Sequence, residues 1–242
     1  MGSPRLRMTG RNCAAVMRAA AVPALAGAVL LIAGSAPGAQ QGGPVRGRVE
    51  IGIPVAAKRP TSAAYPGRSV QTAGLAPVSE LRNVVVYLKD APPRTGMPPV
   101  HVEIRQREEN FVPRVVAVPV GSTVDFPNDD PIYHNVFSLS SAKNFNLGRY
   151  PKGKSKGVTF DKPGLVRVFC DIHSHMSATV LVFNHPWYAI PDEEGRFQLP
   201  QVPTGEREIT AWHERLGDTT LQVRVDNGRP STADFVLPVP AK

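Results

Sequence analysis

From His101 onward the chain breaks into seven short apolar or alternating runs: HVEI, VVAV, STVDF, HNVFSL, GVTF, LVRVFC and ATVLVF, the last ending at Phe183. Turn residues separate them, explicitly at Asn128-Asp129-Asp130-Pro131, Pro151-Lys152-Gly153 and Pro163-Gly164. Outside the first forty residues no segment repeats apolar positions with a helical period of 3.6. Strand-length runs at this density, joined by turns, predict an all-β sandwich. Composition agrees: 25 Pro and 21 Gly favour turns over long helices, and 42% hydrophobic against 20% charged residues describes a folded globular chain.

The first residues have a different character. Arg5, Arg7, Arg11 and Arg18 precede an apolar run from Ala19 to Ala33 and the small residues Gly34, Ser35 and Ala36. That order predicts a cleaved export signal over 1–39 and a periplasmic or secreted mature protein without a membrane span; an uncleaved N-terminal anchor is the alternative. The net charge of +8 then shrinks, because four of the 28 Lys and Arg lie before residue 40 and none of the 20 Asp and Glu does, which leaves +4. A mildly basic chain gives no reason to expect nucleic acid. Of the 2 cysteines, Cys13 goes with the signal, so Cys170 stands alone and no intramolecular disulfide can form. A lone thiol in an oxidising compartment invites a protective or functional role.

Organisation follows from where the strand signals cluster. VRGRVEI at 45–51 and NVVVYL at 83–88 read as strands, and the Ala/Pro/Gly/Ser-rich stretch 54–79 as a loop or linker. With the seven runs they are expected to form one domain over 44–184. A second, smaller β domain is expected over 185–240, from the Phe197/Leu199 alternation, Ile209 to Trp212, the Leu221/Val223/Val225 alternation and Phe235 to Leu237. About four strands bury little core alone, so this unit is expected to dock on the first.

The chemistry concentrates in Cys170-Asp171-Ile172-His173-Ser174-His175-Met176, on the loop between LVRVFC and ATVLVF. A thiolate, an imidazole and a thioether within seven residues suit copper; zinc seldom takes a thioether, and magnesium or calcium would ask for oxygen. A second imidazole is still needed, and His134, opening HNVFSL after the Asn-Asp-Asp-Pro turn, is the best candidate. The expected set is His134, Cys170 and His173 in a plane with Met176 on the axis. His175 is a possible alternative ligand, read first as an exposed loop residue, while His101, His185 and His213 are read as structural or surface residues. Lys143, Arg149, Lys152, Lys154 and Lys156 read as a solvated loop, or else as a docking face for an acidic partner.

The order His-Asn-Val, Pro-Gly, Cys-x-x-His-x-x-Met resembles the plastocyanin/amicyanin branch of the cupredoxins, over roughly residues 83 to 183. The resemblance implies a Greek-key β-sandwich with one type 1 (blue) copper, Asn135 as the residue tying the two ligand loops together, and His173 as the port for electrons. The implied activity is periplasmic electron transfer with a redox protein such as a c-type cytochrome, and no enzymatic reaction. A copper carrier or storage protein, and an envelope binding module without a redox role, are the alternatives. The C-terminal unit resembles the carboxypeptidase-regulatory-like (transthyretin-like) β domain, through Asp192-x-x-Gly195-x-Phe197, Val202-Pro203-x-Gly205 and Trp212-His213. Ser174-His175 departs from the apolar residues or proline that amicyanin-like loops carry after the ligand histidine.

Overall fold

The computed structural model describes Gly2 and residues 42–52 and 80–237; the expected export signal and the loop expected at 54–79 lie outside the described residues. Apart from one 3-10 turn at Glu80–Asn83, the regular structure described is all strand. The first two strands are β1 (Gly42–Ile51) and β2 (Val84–Leu88). The middle of the chain supplies β3 (His101–Glu103), β4 (Arg105–Arg107), β5 (Asn110–Val112), β6 (Val115–Pro119), β7 (Ser122–Asp125) and β8 (His134–Ser140). It continues with β9 (Lys143–Tyr150), β10 (Gly157–Phe160), β11 (Gly164–Phe169) and β12 (Ser177–Phe183). The C-terminal part adds β13 (Tyr188–Ala189), β14 (Arg196–Pro203), β15 (Gly205–His213), β16 (Gly217–Val225), β17 (Ser231–Thr232) and β18 (Phe235–Leu237). Among the described residues no helix is long and apolar enough to cross a membrane.

A five-stranded sheet in the order β6-β12-β11-β8-β9 and a three-stranded sheet β10-β7-β3 enclose the first core. The period-2 patterning explains which side chains meet there. Val116 and Val118, Val136, Val166 and Val168, and Ala178, Val180 and Val182 point inward from one sheet, and Val124, Val158 and Phe160 from the other. The β4–β5 hairpin lies at the margin and contributes Phe111 to the same core.

Two further sheets, β14-β1-β17 with β18 also on β1, and β13-β2-β15-β16, enclose a second core around Trp187, Phe197, Leu199, Ile209 and Phe235. This pairing corrects the expected boundary near 184. β1 hydrogen-bonds β14, β17 and β18, and β2 hydrogen-bonds β13 and β15, so both strands assigned by sequence to the first domain complete the C-terminal sandwich instead. The reason is geometric: the strands of 188–237 cannot close two facing sheets by themselves, and β1 and β2 supply the missing apolar faces.

The two cores are joined through a third layer. β2 sends Val84, Val86 and Leu88 into the second core and Val85 and Tyr87 toward the first sandwich, where Val115, Leu181 and Phe183 meet them. NVVVYL and ATVLVF are continuously apolar because each has a buried environment on both faces. The described residues 42–52 and 80–237 accordingly fall in one compact unit.

Candidate metal centre

Two neighbouring strands bring the site together. β8 and β11 lie side by side in the five-stranded sheet, paired antiparallel at Phe137 and Phe169, so the start of β8 and the end of β11 reach the same edge. His134 is the first residue of β8, and Cys170 immediately follows β11. The 170–176 loop then folds back on itself: the Met176 N–H donates to the His173 carbonyl at 3.0 Å and the Cys170 N–H to the Met176 carbonyl at 3.4 Å. His173 is thereby turned toward Cys170.

The donor atoms converge. His134 Nδ1 and His173 Nδ1 are 3.1 Å apart, and each lies 3.9 Å from Cys170 Sγ. A triangle with edges of 3.1, 3.9 and 3.9 Å has a circumradius of about 2.1 Å, which matches typical metal–nitrogen and metal–sulfur bonds of about 2.0–2.3 Å. Among the described residues these three form the one group of His, Cys, Asp and Glu side chains close enough to hold a metal ion. His134 is fully buried, Cys170 is 4% exposed, and His173 is half-buried at the rim. Met176 is 1% exposed and packs in the same apolar cluster as Cys170.

Burial opposes charge at both His134 and Cys170, yet their contacts outweigh it. Hydrogen bonds with Cys170 and Asp130 lift the His134 imidazole above its ordinary pKa. The Cys170 thiol is held below the usual thiol range by His134 and by the backbone N–H groups of Asn135, His173 and Ile172. The surroundings therefore shift Cys170 toward the thiolate, the form that binds metals.

The remaining sequence-predicted residues separate cleanly. The Asn135 side chain donates to Asn146 Oδ1 at 2.8 Å, across the β8–β9 hairpin, and it is the Asn135 backbone N–H that reaches toward Cys170. The tie between the ligand loops thus runs through main chain rather than through the amide side chain. His175 is exposed and outside the donor group, with its Nε2 3.8 Å from Glu109. His101 pairs with Asp125 on the surface; His185 and His213 are buried among Trp187 and Glu80 respectively. Of the basic run, Lys143 and Arg149 belong to strand β9 rather than to a loop, and they pair with Asp161 and Asp171.

Sequence reading missed Asp130. Its carboxylate lies 2.8 Å from His134 Nε2, 6% exposed, and an ionised Asp130 requires the proton on Nε2, which leaves the Nδ1 lone pair toward Cys170 and His173. An acidic residue inside Asn-Asp-Asp-Pro reads as turn chemistry, and the pattern does not say which of two adjacent aspartates turns inward.

No protein-family model matches the chain, and no curated protein matches its sequence. Among solved structures it is similar to the Cu-containing nitrite reductase (NirK) from Thermus scotoductus SA-01, at 25% identity over 38% of this chain and 25% of that chain, with a TM-score of 0.34. It is also similar to a purple cupredoxin from Nitrosopumilus maritimus, at 28% identity over 30% of this chain and 81% of that chain, with a TM-score of 0.28. Amicyanin from Paracoccus versutus matches at 21% identity over 40% of this chain and 97% of that chain, with a TM-score of 0.33. The match spans a quarter of the nitrite reductase's length, and each likeness covers less than half of the present chain; the donor triangle stands independently of them.

Proposed function

We propose that the protein binds one copper ion through His134, Cys170 and His173, with Met176 as a weaker fourth donor, and carries electrons outside the cytoplasm. The observation that supports this most directly is the donor triangle, two imidazole nitrogens and one sulfur equidistant from a point at metal-bond length. The donor types fit: two nitrogens and a thiolate with a thioether buried beside them are acceptable to both oxidation states of copper and poorly suited to zinc, calcium or magnesium. Bound copper would supply a one-electron couple.

The chain's own residues do the rest. The Cys170 thiol is shifted toward deprotonation by its surroundings, with the backbone N–H groups of Asn135, His173 and Ile172 among the causes, and a bound metal would complete that deprotonation. Burial of His134 and Cys170 keeps water from the donors. Their fixed places at strand ends limit rearrangement when charge changes. His173 alone of the three reaches the surface, beside exposed Ile172, and is the natural edge for electrons to enter and leave. The proposed partner is another redox protein. The C-terminal sandwich, by its sequence resemblance to carboxypeptidase-regulatory-like domains, is proposed as an accessory module. A catalytic role is not proposed, since Cys170 is flanked by Phe169 and Asp171 rather than by histidines that could lead to a further copper cluster. Export rests on the basic and apolar patterning of 1–39.

Titration of the mature protein with copper(II) tests the reading. An intense blue thiolate charge-transfer band is expected at one copper per chain, absent in Cys170→Ser; a colourless wild type would sink the proposal. The burial of two donors favours retention over delivery, so oxidation and reduction should cycle without loss of copper. Ready exchange of the metal to a chelator would instead support a carrier.

A further inference from the structure

The turn between β4 and β5 is built from two residues in a conformation neither favours. Glu108 and Glu109 both have positive φ, 52° and 55°, although glycine or asparagine is the usual choice there. The outcome is that two successive backbone N–H groups face the same way, forming a small anion-binding concavity. Asp130 fills it: the Glu108 N–H donates to Oδ1 at 2.6 Å and the Glu109 N–H to Oδ2 at 2.9 Å. The Asp130 N–H itself donates to Asn128 Oδ1 at 2.9 Å, and the buried Asn128 amide donates in turn to the carbonyls of Ile132 and Tyr150. A carboxylate gripped on both oxygens, in a place almost closed to water, then presents Oδ2 to His134 Nε2 at 2.8 Å.

We infer that Asp130 is a positioning residue for the candidate metal centre, holding His134 in the tautomer whose Nδ1 faces Cys170 and His173 and feeding negative charge through the ring toward a cation bound there. The identity of that cation rests on the copper reading; the positioning role does not. Three features carry the inference. The strained Glu108–Glu109 turn exists where an outlier calls for a functional reason. The carboxylate and the ring are both buried, so the charge 2.8 Å from Nε2 is poorly screened. A carboxylate on the distal nitrogen of a metal-binding histidine also makes the ligand more basic. Such a ligand favours the more highly charged of two oxidation states, so the clamp would raise the affinity for Cu(II) relative to Cu(I).

The test begins without metal. Nitrogen-15 NMR of the metal-free wild type should show His134 as the Nε2–H tautomer, with a downfield ring proton protected from exchange. An Nδ1–H tautomer, or a fast-exchanging ring proton, would overturn the inference, and this measurement needs no variant to fold. In Asp130→Asn the tautomer should become mixed, and the ratio of Cu(II) to Cu(I) affinity should fall by about tenfold, equivalent to a rise of about 59 mV in a one-electron potential. Glu108→Gly, which keeps the N–H and suits the positive φ, should leave tautomer and ratio as in the wild type. A change of less than about threefold in Asp130→Asn, or an equal change in Glu108→Gly, would show that Asp130 only anchors the hairpin. Absence of a thiolate band would defeat the copper reading while leaving the tautomer result to stand or fall separately.

Discussion

His134 and Tyr150 face one another across the β8–β9 ladder, so the hairpin that carries the proposed ligand imidazole is anchored at the opposite position by a buried phenol. The Tyr150 hydroxyl donates to the Phe126 carbonyl at 2.7 Å and accepts from Gln106 Nε2 at 2.7 Å. Gln106 is fully buried and its Oε1 has no hydrogen-bond partner among the described residues, so this network has little slack. Tyr150→Phe removes one donor and one acceptor from it, and the expected loss is about 1–3 kcal/mol of unfolding free energy. Denaturant melts of the two proteins check this; indistinguishable midpoints would mean that the phenol contributes packing alone.

Gly47 reports on the pairing of β1 with the C-terminal strands. A Cβ built there would lie 1.8 Å from the Ala233 carbonyl oxygen and 3.0 Å from the Phe197 ring, because β1 is pressed between neighbours contributed by the other end of the chain. The clash is with backbone and cannot be relieved by a rotamer change. Gly47→Ala should destabilise the protein by about 2–4 kcal/mol, measurable by thermal or denaturant unfolding. A neutral result would mean that β1 does not hold this place, and the expected division of the chain near residue 184 would regain its standing.

The part of the fold that could be read from sequence was the part encoded locally. Turns and alternation marked the strands of the first sandwich, and the apolar run 84–88 marked a buried strand. Which sheet that strand joins depends on partners more than a hundred residues away, such as Thr210 opposite Tyr87, and no local pattern reports it. β9 was overlooked because KNFNLGRY is mostly polar and half-exposed, and its place is fixed by pairing with β8. At the site, Cys170, His173 and Met176 share one loop and were singled out from their spacing, and the structure brings the Cys170 and His173 donor atoms together with His134. His134 was legible from its place at a strand start. Asp130 was not, since its role depends on the Glu108–Glu109 turn, and two glutamates give no sequence signal for positive φ.

Met176 separates packing from ligation. Its side chain is 1% exposed in the first core, so Met176→Leu is close to a volume-conserving swap and should change stability by less than about 1.5 kcal/mol. Cys170, His134 and His173 remain, so the thiolate band should persist. If the thioether is a weak fourth donor, its removal withdraws more stabilisation from Cu(II) than from Cu(I), and the reduction potential should rise. Voltammetry of the two proteins decides: an unchanged potential would assign Met176 to the core and not to the metal.

His185 should make the protein sensitive to acid. It is 5% exposed between Phe183 and Trp187, with ring centroids 5.1 and 5.9 Å away, and its Nδ1 accepts the Trp187 N–H at 3.3 Å. Burial pushes its pKa down from 6.5 to about 4, so the folded protein holds this imidazole neutral. Between those two values the unfolded chain binds the proton more readily than the folded one. The stability contribution is therefore complete above pH 6.5 and is lost as pH falls toward 4. Allowing for residual solvation, that loss is about 2 kcal/mol. His185→Asn retains a side-chain acceptor for the Trp187 N–H but does not titrate, so it should flatten the difference between unfolding free energies at neutral and mildly acidic pH. Carboxylates also titrate over part of this range in both proteins, and subtracting one profile from the other isolates the histidine. A difference profile that stays level between pH 7 and pH 4 would show that the imidazole is reached by water and protonates freely in the native state.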